Sequence, residues 1–267
     1  MKRRAWLALV LLVVAVGLAA YARRRARHRA EDALRETKRE ARNRYTAEAR
    51  STKDPREATY LALRALTLDY DVGEPWLVRG DLSRAVWATS EAAELVRVLP
   101  SSREAPHPRF TTTGGIEMVE ATRPPPPLTA NGTPHVLAPQ EQREALFAGK
   151  DIVIVATDDP TSRFTLRGHT DEVTAVSWSE TSHFLATTGK DRRLLFHDLY
   201  HRKLYVALDL DAALTDLELS RDAERILTRD TEGVVRLYDV SFQSTVVLAC
   251  RIVASHPLRD EVRRICP

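Results

Sequence analysis

The sequence predicts a mainly β body of four repeated antiparallel units behind a helical N-terminal third. Three observations predict it. First, Gly115, Asp151, Asp191 and Asp230 each precede a β-rich run, at spacings of 36, 40 and 39 residues. A fixed period of this length is the signature of a repeat architecture. Second, each turn follows another short run: RFTTTGG, EALFAGK, FLATTGK and RILTRDT. Third, the N-terminal third lacks this pattern and carries helical signals instead.

The apolar stretch AWLALVLLVVAVGLAAYA, residues 5–22, holds no charge. As a helix rising about 1.5 Å per residue it would be about 27 Å long, close to a bilayer's hydrocarbon core. Trp6 and Tyr21 stand near its ends, where aromatic belts lie. Ala20-Tyr21-Ala22 also fits a signal-peptide cleavage site. Arg23, Arg24 and Arg25 follow at once and oppose translocation of what lies behind them. The expectation is an uncleaved transmembrane helix over 5–22. Lys2, Arg3 and Arg4 precede it; Arg23, Arg24, Arg25, Arg27 and Arg29 follow. The heavier positive flank predicts a single-pass inner-membrane protein whose C-terminal body faces the cytoplasm.

Charge is distributed unevenly. Residues 23–53 sum to +7 and the remainder of the body to −7, within a total of +3. The juxtamembrane arginines suit anionic lipid headgroups. Their place beside a membrane span accounts for them without nucleic acid. Residues 23–53 predict a basic helix: 23–50 contain no Pro or Gly and are rich in Ala, Arg and Glu.

Residues 54–92 predict a helical hairpin. Asp54-Pro55 reads as an N-cap followed by Pro at the first helical position. Ala58, Leu61, Ala62, Ala65 and Leu66 follow the helical period. Gly73 stops this helix and Pro75 starts the next, with Trp76, Leu77, Leu82, Val86 and Trp87 as its apolar side. The two tryptophans read as core or docking residues.

Residues 93–248 hold the repeats. VTAVSWS (173–179), FLATT (184–188), RRLLFHDL (192–199) and KLYVALDL (203–210) predict four short strands, with Gly189-Lys190-Asp191 as a turn. Four antiparallel strands in about 40 residues is the size of one propeller blade. The other copies are more worn. Pro124–Pro127 interrupt the first, which lacks a clear first strand, and Ala156 stands where the second should have Asp.

At this point the sequence resembles the WD40 repeat family. Gly168-His169 stands at that family's Gly-His dipeptide, Asp191 at its turn aspartate, and His197-Asp198 and Tyr238-Asp239 at its Trp-Asp. The resemblance implies a hydrogen-bonded set that holds the blade: His169, Thr187, Asp191 and, in place of Trp, His197. Leu210-Asp211 replaces Gly-His in the fourth copy, so the same set is not expected there. The C-terminal stretch 249–267, with Cys250 and Cys266-Pro267, looks like the helical cap of membrane-anchored bacterial STAND-type WD40 chains. Residues 5–99 resemble the segment that precedes the propeller in those chains. The resemblance then implies that ELVRVL (94–99) supplies the outer strand of the last blade.

The expected fold is therefore a four-copy WD40-like β-propeller, small, distorted or incomplete, behind a transmembrane helix, a basic stalk helix and a helical hairpin. Four worn units predict either a small ring or an open arc that forms a homo-oligomer. No P-loop, H-E-x-x-H or G-x-S-x-G motif occurs. His197 and His201 are spaced as helix-borne metal ligands would be, but they sit at a strand end. Two cysteines define no disulfide framework and fit a structural pair in the cap. These readings predict no catalytic residues, cofactor or metal, no nucleic-acid partner, and a scaffold that binds protein partners. The alternative is a sensor or regulatory subunit of a STAND-type system whose NTPase or protease is on another chain.

Overall fold

The computed structural model describes residues 2–72, 76–101, 107–119, 126–129, 132–140 and 142–266, and of residues 2–20, 71–72, 76–77 and 148 the backbone alone. The chain begins with one continuous helix, α1 (Lys2–Ser51). It merges the expected span and stalk, because no helix breaker of consequence separates them. Among the described residues no helix is long and apolar enough to cross a membrane. Residues 5–20 of the expected span lie outside the residues whose side chains are described.

Two helices follow, α2 (Pro55–Val72) and α3 (Trp76–Trp87). The Asp54 carboxylate accepts from Arg56 N–H at 2.9 Å, satisfying a donor that the helix start leaves free. Gly73 and Pro75, expected to end one helix and start the next, lie outside the described residues, as do the side chains of Trp76 and Leu77. Leu66, Leu82 and Val86 are fully buried and Trp87 nearly so. The last turns of α1 join this pair through charge. Arg42 Nη1 donates to Asp69 at 3.0 Å, with both side chains buried. Arg50 makes two bonds to Asp81, at 2.8 and 2.9 Å. Before Lys38 the described side chains of α1 are exposed, the five flanking arginines included.

The β body holds four units. The first, among the described residues, is a hairpin of β2 (His107–Phe110) and β3 (Ile116–Val119). The second is the meander β4 (His135–Leu137), β5 (Arg143–Ala148), β6 (Asp151–Ala156) and β7 (Arg163–Leu166). The third is β8 (Val173–Trp178), β9 (Phe184–Gly189), β10 (Arg193–Asp198) and β11 (Lys203–Asp209). The fourth is β12 (Leu214–Leu219), β13 (Arg225–Asp230) and β14 (Val235–Asp239), completed by β1 (Val96–Leu99) from the N-terminal side. β1 lies antiparallel to β14, with Val96 opposite Tyr238 and Val98 opposite Arg236. The outer strand of the fourth sheet is thus covered by chain drawn from before the first.

The core is divided. One cluster joins α2, α3, the third and fourth units and α4 (Phe242–Ile252). A second holds the second unit and one side of the third: Phe147, Ile152, Ile154, Val176, Trp178 and Leu185. α3 lies against β11 at Gly80, where an added Cβ would come within 2.9 Å of the Tyr205 ring. α4 starts at Ser241, whose hydroxyl accepts from Ser244 N–H at 3.2 Å. Cys250 and Cys266 form a disulfide that ties the end of the cap to α4.

Candidate functional site

The third unit places three of the four residues of the expected blade set together. His169 Nδ1 lies 3.0 and 3.1 Å from the two Asp191 oxygens, and its Nε2 lies 2.9 Å from Thr187 Oγ1. Burial holds the His169 pKa below its ordinary value, against the pull of Asp191. A neutral ring then donates from Nδ1 and accepts the Thr187 hydroxyl at Nε2. Asp191 also accepts from Thr170 N–H at 2.7 Å and Arg193 N–H at 3.1 Å. Burial works to raise its pKa; the backbone bond from Thr170, His169 and Arg193 N–H outweigh it and leave it lowered. Gly168 makes the approach possible: its φ is +144°, and a Cβ there would meet Leu195 Cδ1 at 2.8 Å.

His197 is not part of this set. It is buried, and its Nε2 has no hydrogen-bond partner among the described residues. The Thr187 hydroxyl is already engaged by His169, and an imidazole is shorter than the indole the family places there. Burial, then repulsion from His169, push its pKa down to about 3, so the ring is neutral. His201 sits with its Nδ1 2.6 Å from Asp198, which also accepts from His201 N–H at 2.9 Å. Among the described residues no group of three or more His, Cys, Asp or Glu could hold a metal ion.

A second feature has no counterpart in the sequence motifs. The four β units surround a cavity of about 760 Å³. That volume falls within the range of ligand and peptide-side-chain pockets. Hydrogen bonds cross the seams at its wall, among them Leu219 N–H on β12 to Ser177 Oγ on β8 at 2.9 Å. His107 on β2 meets Asp216 on β12 at 2.7 Å, and Trp178 Nε1 on β8 donates to Val136 O on β4 at 3.1 Å. Phe147 and Trp178 form apolar wall, and Asp216 and Glu218 supply acid. Arg109 lines the same space with no ion-pair partner among the described residues. These residues come from five separate strands and carry no local motif.

Comparison with known proteins supports the reading of the third unit. The WD domain, G-beta repeat family matches residues 160–198. No curated protein matches the chain. Among solved structures, the chain is similar to the β-propeller domain of Cps50 (Swd1) from Myceliophteria thermophila. The identity is 20%, covering 41% of this chain and 34% of that one, with a TM-score of 0.38. The chain thus spans about a third of that domain's length. The matched stretch runs from β7, in the second sheet, through β10, in the third, so the sequence repeat is offset from the sheet by one strand. Residues 160–198 are therefore similar to one WD domain, G-beta repeat, and lie within a series of antiparallel sheets.

Proposed function

We propose that this protein is a membrane-tethered, non-catalytic scaffold whose propeller-like body binds a protein partner. The observation that carries this reading is the cavity between the β units, with its aromatic wall and the Arg109 guanidinium, which has no ion-pair partner among the described residues. Arg and aromatic side chains in desolvated pockets dominate interface energies. The tether is the apolar stretch 5–22, and the exposed arginines after it meet anionic headgroups. The test is affinity capture with the full chain extracted from native membranes. A stoichiometric protein that is lost with Arg109→Glu supports the reading. Capture of nothing, or of the same protein by both forms, counts against it.

A second reading, a sensor subunit acting on an effector carried by another chain, is favoured by the α1 contacts. Arg42–Asp69 and Arg50–Asp81 fasten α1 to the helical pair, and α3 rests on β11. A displacement of α1 would therefore reach the third sheet through rigid contacts. An NTPase or protease recovered in the capture experiment would select this reading.

The positive flank argues for a cytoplasmic body. The Cys250–Cys266 disulfide argues for an oxidising compartment, since cytosolic thiols are kept reduced. Protease accessibility of the C-terminus in intact cells, with and without permeabilisation, separates the two.

A further inference from the structure

The chain ends in a strap that lies against α2. It leaves α4, passes through the 3-10 turn Arg259–Val262 and returns to α4 at Cys266. Among residues 254–264 only Val262 is buried. So short an apolar contribution gives the strap little hold of its own. The rest of its hold is polar. His256 stacks on Tyr60 with ring centroids 3.9 Å apart, and its Nε2 lies 3.0 Å from Glu57. The Tyr60 hydroxyl donates to Glu261 at 3.0 Å, and Arg64 pairs with the same carboxylate at 2.7 Å. Glu57 and Glu261 are 42% and 39% exposed at their side chains. Ion pairs this open to water contribute little by themselves.

The remaining attachment is covalent. The Cys250–Cys266 bond joins residues 16 apart in sequence. A cross-link over a loop of about this length shifts an opening equilibrium by about a hundredfold. Both cysteines are only partly buried, so a small thiol has access to them. The strap also covers something. Tyr60 is 3% exposed beneath His256. It belongs to the core cluster that joins α2, α3 and α4, and Tyr45 of α1 packs against that cluster.

We propose that Cys250–Cys266 is a redox-sensitive latch on this strap. A dithiol reductant attacks one sulfur and forms a mixed disulfide, and its second thiol displaces the protein from it. Two electrons and two protons pass to Cys250 and Cys266, which become free thiols, and the reductant leaves as a disulfide. The strap then comes away from α2 and uncovers Tyr60 beside α1. Exchange with an oxidised dithiol runs the same step backwards and closes the latch. A bond that is made and broken accommodates both the positive flank of α1, which argues for a reducing compartment, and the disulfide, which argues for an oxidising one.

The test follows amide hydrogen exchange of the full-length protein in detergent micelles, with and without dithiothreitol and without denaturant. Alkylation after reduction counts the thiols released. Dithiothreitol should free both thiols and speed exchange in 254–266 by about a hundredfold, while β9 and β10 stay protected. The double variant Cys250→Ser, Cys266→Ser should exchange fast in this segment whether or not dithiothreitol is present. In that variant hydroxyl radicals should label Tyr60, which they spare in the oxidised wild type. A disulfide that resists dithiothreitol in the folded protein overturns the proposal. So does a reduced protein whose strap keeps its protection, or a double variant in which Tyr60 is still spared. Loss of protection in β9 and β10 together with the strap also overturns it, because the bond would then be a general staple of the fold.

Discussion

The third and fourth sheets solve one problem in different ways. Each has an aspartate at the turn before its third strand, and each must supply that carboxylate with donors. Asp191 draws on His169, which reaches it from the link between two sheets. Asp230 draws on Arg236 within its own hairpin, and on Val234 and Glu232 N–H at 2.9 and 3.0 Å. Burial works to raise Asp230, and these bonds outweigh it and hold its pKa low. The third sheet is also continuous in sequence, whereas the fourth borrows β1. A neutral histidine ties distant chain together; an arginine only closes a local turn. The third sheet is held by its own sequence, and the fourth by what is laid against it.

The largest expected effect sharpens this contrast. Asp191→Ala leaves His169, Thr170 N–H and Arg193 N–H without their acceptor and should lower stability by about 3 kcal/mol in urea unfolding. Asp230→Ala should cost about half as much, because Arg236 is 27% exposed at its side chain and can turn to water. Equal losses would remove the distinction. Next, replacing Val96–Leu99 with four glycines should cost about 2 kcal/mol. Hydrogen exchange should then quicken in β13 and β14 while β9 and β10 stay protected. Uniform quickening would mean that the fourth sheet does not open separately.

Acid provides a third comparison. His197 has a folded pKa of about 3, against 6.5 when unfolded. Between those values the unfolded chain takes up a proton that the folded chain refuses. Stability is therefore complete above 6.5 and declines as pH falls toward 3, by about 1.4 kcal/mol per unit for that one ring. His169, also lowered by burial, adds to the decline in the same direction. His197→Phe should make the slope shallower without large loss at pH 8. An unchanged slope would mean that His197 is not the group that senses acid. The smallest effect is Arg236→Ala, about 0.5–1 kcal/mol, since Asp230 keeps its two backbone donors.

Much of the β array could be read from the chain, because turn chemistry recurs with the strands. The 36, 40 and 39-residue spacings placed β3, β6, β10 and β14. The grouping of His169, Thr187 and Asp191 could be read only through a family resemblance, since nothing local says that residues 18 and 22 apart will meet. Arg236 was not legible as a substitute for histidine: it lies after its aspartate rather than before it. The cavity was invisible for a related reason. Its walls are assembled from strands and turns far apart in sequence. The Arg42–Asp69 pair was hidden inside a run that reads as a solvated basic face; only the burial of both partners marks it.

The one-strand offset between the WD40 repeat and the sheet has a consequence for how such a chain changes length. A copy gained or lost by duplication does not add or remove a finished sheet. It gives its first strand to the sheet before it and its other three to the next. Every such event leaves sheets whole at its borders, and the mismatch is passed to the two ends of the array. In this protein those ends, among the described residues, are the hairpin β2–β3 and the borrowed strand β1.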